Sequence, residues 1–221
     1  MDHVGSGSAY DLSKRRSNLS ILPPYDGKAF SSFVETIYNM HGYIEHCREE
    51  YVLISQGNVI TNIDYTDVFD FHSKKKADIT LIYKNHAIPQ GYDRPITLDV
   101  DNDGKVNQIF VKPGVVDKGV FNHAYGSILI KKDLLMSEIR NAISVNQLDV
   151  RRLIQSSLGK YSIYAYENKG YCAAISSIND YFEFNMDLMK KEVRDELFNP
   201  QRPIYTKVRD DAPSRYGDRK S

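Results

Sequence analysis

The turn Ser55-Gln56-Gly57-Asn58 follows the apolar run Tyr51-Val52-Leu53-Ile54. Ligands of open α/β sheets bind beyond the carboxyl ends of the strands, so chemistry is expected at this turn. Other stretches imitate chemical motifs without completing them. Asp99, Asp101, Asp103 and Gly104 resemble the opening of a calcium loop. Such a loop needs a bidentate glutamate at its twelfth position, where Phe110 stands, so a hairpin turn is the better reading. Gly5-Ser6-Gly7-Ser8 has the composition of a phosphate cradle, but no buried strand precedes it and no helix follows. It reads as a surface loop. His72 sits among apolar neighbours and reads as a packed, hydrogen-bonded histidine rather than a ligand. Lys74-Lys75-Lys76 suits a solvated helix end, where cations complement the dipole. Cys47 and Cys172, only two and far apart, read as reduced thiols.

The elements that must position these residues follow from periodicity. Phe33, Ile37, Met40 and Ile44 predict one helix, capped by Ser31 or Ser32 with Glu35 in its first turn. The Tyr51 run predicts a strand buried on both faces. A helix over 66–76 should turn Val68, Phe69 and His72 inward, and a strand over 78–83 should complete a parallel βαβ unit. That unit fixes the class as α/β. Residues 96–100 and 106–111 predict a hairpin about Asn102-Asp103-Gly104. A strand over 124–130 follows, then a helix capped by Asp133 with Leu135, Ile139 and Ile143 inward. A helix over 150–158 and a strand over 161–166 come next. Ser176-Ser177 should start a helix with Tyr181, Phe184 and Leu188 on one face. Asn199-Pro200-Gln201-Arg202-Pro203 breaks the pattern, and residues 209–221 read as a charged tail.

Composition narrows the partners. Lys plus Arg equals Asp plus Glu, 29 each, so charge gives no case for nucleic acid or an anionic membrane. No apolar run approaches the roughly 20 residues of a membrane-spanning helix. The first residues lack the apolar core of a signal peptide, and a cytoplasmic location is expected.

Motifs spread along the chain give a sharper expectation. Gly57-Asn58-Val59 and Ile63-Asp64-Tyr65, then Phe71-His72 with Lys74 to Asp78, resemble successive motifs of bacterial glucose-1-phosphate adenylyltransferase (ADP-glucose pyrophosphorylase). Val100 to Val106, Lys112-Pro113, Gly170-Tyr171 and Asn185-Met186-Asp187-Leu188 continue the likeness in the same order. Within the family it looks most like the non-catalytic, D-type regulatory subunit. Gly5-Ser6-Gly7, Asp11-Leu12, Arg15-Arg16 and Ile21-Leu22-Pro23-Pro24 are similar to that subunit too.

The resemblance implies a partial nucleotidyltransferase (nucleotide-diphospho-sugar transferase) domain, Rossmann-like, over 31–200. An irregular segment (1–30) precedes it, and a linker (201–221) leads toward a β-helix domain that lies outside this sequence. The family's first Gly-rich βα unit is likewise not found in it, so the Tyr51 strand is expected to lie beside a strand outside this sequence. The family holds Mg²⁺ through two aspartates, and the matching positions here are Asn58 and Ala174. Its sugar contacts correspond to Pro95-Ile96, Val111-Lys112-Pro113, Ala124-Tyr125-Gly126 and Ser32-Phe33-Val34-Glu35, of which Lys112 keeps its chemistry. The expectation is therefore no metal, no catalytic residue, and at most a vestigial sugar-phosphate or nucleotide site at Gly57, Asn58 and Lys112. The implied partner is a catalytic adenylyltransferase subunit. Two alternatives stand beside this. One is an active enzyme using Asp64 or Asp101, and the other is a truncated product with no function of its own.

Overall fold

Strand β6 (Val120–Lys131) is the spine of the fold. Ala124, Tyr125, Ile128, Leu129 and Ile130 are all buried on it, as a strand covered on both faces requires. The computed structural model describes residues 7–10, 12, 19–22, 32–87, 95–111 and 119–205. Gly5, Ser6, Lys112, Pro113 and the tail from Arg209 lie outside the described residues.

One side of β6 pairs antiparallel with β3 (Ile79–Ala87), which pairs parallel with β7 (Ile163–Glu167). The other side serves two strands in turn. Strand β4 (Ile96–Val100) meets it at Ala124 and His123, and β1 (Tyr51–Ile54) meets it from Ile128 to Lys131. The carboxyl end of β1 and the amino end of β4 therefore point at each other across Gly126. Strand β5 (Val106–Val111) extends the sheet beyond β4 as the expected hairpin. In its turn, Asp101 accepts hydrogen bonds from the amides of Asp103 and Lys105, each 2.9 Å.

Helices cover both faces. On one lie α1 (Phe33–Asn39), α2 (His41–His46), α4 (Lys132–Ser144) and α5 (Val150–Ser156), packed through Val34, Ile139 and Ile154 on Leu81, Ile128 and Ile163. On the other lies α3 (Tyr65–Lys75), whose Val68 packs on Ile82 and Leu129. A two-stranded ribbon, β2 (Val59–Thr61) with β8 (Cys172–Ala174), leads into α6 (Ile178–Asp187) and α7 (Lys191–Leu197). Among the described residues, no helix is long and apolar enough to cross a membrane.

The α/β class is as expected, and several local signals hold. Ser32 caps α1 in a reciprocal box with Glu35, and Ser177 caps α6 with Asp180 in the same way. Asp64 caps α3 through the Thr66 amide at 2.8 Å. His72 is packed as expected, bonded through Nδ1 to the Thr80 hydroxyl at 2.8 Å.

Other expectations need correction. β1 and β3 run the same way, yet β6 is inserted between them, so they do not form an adjacent parallel pair. β1 is only partly buried, with Leu53 at 39% exposure; four apolar residues cannot by themselves distinguish an edge from a centre. The helix expected through Met40 and Ile44 breaks at Met40 into α1 and α2, Met40 itself leaving the helical region at φ -90 and ψ 4. Phe69 points outward at 41% exposure, stacked edge-on against Tyr51. Tyr181 also faces outward, while Phe184 and Leu188 turn in. Asp133 lies in the first turn of α4, and Lys131 is its N-cap.

Candidate functional site

A cleft of about 690 Å³ opens where β6 changes partners. Its floor is Ala124, Tyr125 and Gly126, and its ends are Ile54 of β1 and Ile96 of β4. Gln56 and Asn58, from the turn after β1, form one wall. Phe33 of α1 and Asp149 to Arg151 at the start of α5 form another, and Ser176 closes the rim. Gly126 has φ +77, and a side chain there would run into the Gln56 carboxamide. The glycine thus makes room for Gln56 to lie across the gap between β1 and β4.

Stretches far apart in sequence converge here. Phe33, Asn58, Ile96, Ala124 to Gly126 and Ser176 belong to five separate segments that the family motifs nominate, and all line this one cleft. Gly57 stands exposed in the turn, and an added Cβ would meet nothing within 4 Å. Of the nominated site residues, Asn58 lines the cleft, Gly57 is in the same turn but not among the lining residues, and Lys112 lies outside the described residues.

The two positions nominated for a metal are neighbours in space. Val59 stands opposite Ala174 across the β2–β8 ribbon. Asn58 and Ile175 exchange hydrogen bonds just beyond it: the Ile175 amide donates to the Asn58 carbonyl at 2.9 Å, and Asn58 Nδ2 donates to the Ile175 carbonyl at 3.1 Å. What these positions offer does not fit Mg²⁺, a hard cation that favours anionic oxygens. One side chain is a neutral amide already turned to the backbone, and the other is a buried methyl group. Among the described residues, no three His, Cys, Asp or Glu side chains gather as a metal site. Asp64, spent as a helix cap, and Asp101, spent in the hairpin turn, do not line the cleft. Asp149 does, and its carboxylate caps α5 through the Arg151 amide at 2.9 Å.

Behind the floor lies a stack of rings. His86 on β3 lies 5.5 Å from His123 and 5.2 Å from Tyr125, both on β6. The Tyr125 hydroxyl is hydrogen-bonded to His86 Nε2, and His86 Nε2 lies 3.3 Å from His123 Nδ1. Burial, with the nearby Lys84 charge, lowers His86 to about 4; burial, with His86, lowers His123 to about 3. Both are neutral at ordinary pH and suit a structural role. Burial also pushes the Cys172 thiol up to about 11, so it is no ready nucleophile. The ring stack and the seating of Gln56 on Gly126 were not read from the sequence, because both depend on strand register. Asp149 was findable as an acidic cap directly before the predicted helix.

A second cleft, of about 710 Å³, lies beside the end of β7, between α3 and the β4–β5 turn. It is lined by Asp64, Asp67, Glu167, Glu196, Lys74 and Lys75, among others. Several of these are already engaged. Glu196 accepts the Tyr171 amide, and Lys75 lies 3.8 Å from Asp103.

No protein-family model matches the chain. Over 97% of its length it is 28% identical to the glucose-1-phosphate adenylyltransferase of Clostridium acetobutylicum, covering 57% of that protein. It is 24% identical over 98% of its length to the glycogen biosynthesis protein GlgD of Bacillus subtilis, covering 54% of it. The glucose-1-phosphate adenylyltransferase of Bacillus subtilis is 28% identical over 92% of the chain, with 55% of that protein covered. The chain thus spans about half the length of the curated relatives it matches. These relatives carry the names expected from the motifs.

Proposed function

We propose that this chain is a non-catalytic part of the machinery making ADP-glucose for glycogen biosynthesis, and that it works by associating with an active glucose-1-phosphate adenylyltransferase chain. Its relatives' names support the pathway. The observation that carries the non-catalytic role is that Asn58, on the cleft, and Ala174, one step along the β2–β8 ribbon, bring an amide and a methyl group to neighbouring places. Adenylyl transfer develops charge on the reacting phosphate that must be neutralised, and a metal held by carboxylates is the usual means. An amide and a methyl group cannot hold one. Any sugar phosphate or nucleotide bound in the cleft would be held by the polar wall at Asn58, Gln56 and Ser176. It would be a ligand rather than a substrate.

An active enzyme is the competing reading, and Asp149 on the cleft wall is the carboxylate it would need. That carboxylate is committed to the first turn of α5. The deciding assay supplies the purified chain with ATP, glucose 1-phosphate and Mg²⁺ and follows pyrophosphate release. No release above a protein-free blank is expected. Turnover that survives removal of contaminating enzyme would overturn the proposal.

A further inference from the structure

The ribbon of β2 and β8 has one end at the β6 cleft and the other at the β7 cleft. Asn58 and Ser176 stand on the rim of the first, while Asn62 and Gly170 line the second. The ladder between them runs from the Val59–Ala174 pair to the Thr61–Cys172 pair. At the rise of an extended strand, Asn58 and Thr61 are about 10 Å apart.

The two ends are held unequally. At the β7 end, the peptide group between Gly170 and Tyr171 is gripped from both sides. Lys84 of β3 donates to the Gly170 carbonyl, and Glu196 of α7 accepts the Tyr171 amide. Bonds to charged groups such as these are the stronger kind. Glu196 can approach because residue 170 is glycine, where a side chain would run into its carboxylate. The Thr61 hydroxyl donates to the Tyr171 carbonyl at 3.0 Å and so joins the two strands. Asn62 ties the other strand to α7, its Nδ2 donating to the carbonyls of Leu197 and Arg202, each at 2.8 Å. The last turn of α7 thus holds both strands. At the cleft rim, among the described residues, the hydrogen bonds of Asn58 and Ser176 stay within the ribbon and α6. A rigid element fixed at one end carries that end's position to the other.

We infer that Glu196 and Asn62 are positioning residues for the β6 cleft, setting through the ribbon where Asn58 and Ser176 stand on its rim. Whatever draws on α7 draws on that rim. The effect on a bound ligand rests on the reading of the cleft proposed above, and the placing of the rim does not.

The test records amide hydrogen exchange and the Asn58 carboxamide resonances of the whole chain by NMR, with circular dichroism to follow folding. Glu196→Ala should speed exchange at Ile175, whose amide bonds the Asn58 carbonyl, roughly tenfold or more. It should also shift the Asn58 signals. Asn62→Ala should do the same from the other strand. Glu196→Gln keeps an acceptor and should stay near the unaltered chain. So should Glu192→Ala, which removes an exposed carboxylate of the same helix. Exchange at Ile128 to Ile130 of β6 should be unchanged in all four. Faster exchange confined to Tyr171 and α7, with Ile175 and Asn58 unaltered, would overturn the inference. Loss of the whole fold in both alanine variants would overturn it too, since the bonds would then hold the domain rather than the rim. Glu196→Ala should also weaken the binding of glucose 1-phosphate measured by calorimetry. No binding by the unaltered chain would overturn the reading of the cleft as a ligand site, while exchange at Ile175 still decides the rim.

Discussion

The two clefts are nearly equal in volume, about 690 Å³ beside β6 and about 710 Å³ beside β7, but they are built differently. The β6 cleft has apolar ends and a floor resting on a buried ring stack, with few charges. The β7 cleft is lined largely by charged side chains, and many of those serve as a helix cap, a turn anchor or an ion pair. A crowd of charges marks the site with less available chemistry. What distinguishes a binding site is polar groups not already committed to the fold, set against an apolar wall.

Acid should separate the two regions most strongly. His86 and His123 are held neutral when folded and take up protons at about 6.5 when unfolded. The unfolded chain therefore binds more protons as pH falls below about 6.5. The stability from their burial is intact above that pH and is lost progressively toward 4 and 3, on the order of a few kcal/mol by pH 4.5. His72, lowered by its own burial and by Lys131, adds with the same sign. In the β7 cleft, hydrogen bonds from Thr66 lower Asp64, so its contribution persists to more acidic pH. Urea midpoints measured from pH 7 to pH 4.5 should fall steadily, and a flat profile would mean the ring stack is open to water.

A second contrast uses one glycine from each region. Gly126 and Gly104 have φ +77 and +84, where any other residue costs about 1–2 kcal/mol. A methyl at Gly104 would also press on the Phe71 ring at 3.1 Å and the Ala165 carbonyl at 3.3 Å. At Gly126 the nearest atoms it would meet belong to the flexible end of Gln56. Both alanine variants should lower the melting temperature. Adding Gln56→Ala should recover part of the loss for Gly126→Ala and none for Gly104→Ala. Failure to recover would mean that Gln56 does not lie across the cleft.

The smallest effect is expected from the charges that most attract notice. Lys75→Ala removes an ion pair whose Asp103 side chain is 89% exposed, which should cost less than about 1 kcal/mol by urea denaturation. A larger loss would promote the β7 cleft from surface decoration to structure.

Much of this frame was legible before any coordinates, and the parts that were share a cause. The caps of α1 and α6, the Asn102-Asp103-Gly104 turn and the inward stripe of α4 are set by residues close in sequence. Local hydrogen bonds and periodicity suffice for them. The adjacency of Asn58 and Ala174 was nominated by motif likeness, and the ribbon supplies its geometry. The insertion of β6 between β1 and β3 was not legible, because strand order depends on which distant partner wins. The three-residue strands β2 and β8 are too short to have a period. Helix α7, the short span between α6 and the Asn199-Pro200 break, has only two turns in which to show a period, and the exposure of Phe69 and Tyr181 depends on what covers each helix.

One strand shared among three neighbours also determines how chain entropy is distributed. In the hairpin Ile96 meets Val111, while Ile79 meets Ile163 across a segment roughly five times longer, a closure costing about 1.5 kcal/mol more. Tyr51 reaches Lys131 over a comparable span. The hairpin is thus the inexpensive loop to close, and Ile96 reaches the cleft floor at Ala124 across a segment far shorter than the one joining Ile54 to Ile128. The pairing of β4 with β6 therefore sets the floor and one end of the cleft, and the cleft is complete only once the long connection from β1 has closed.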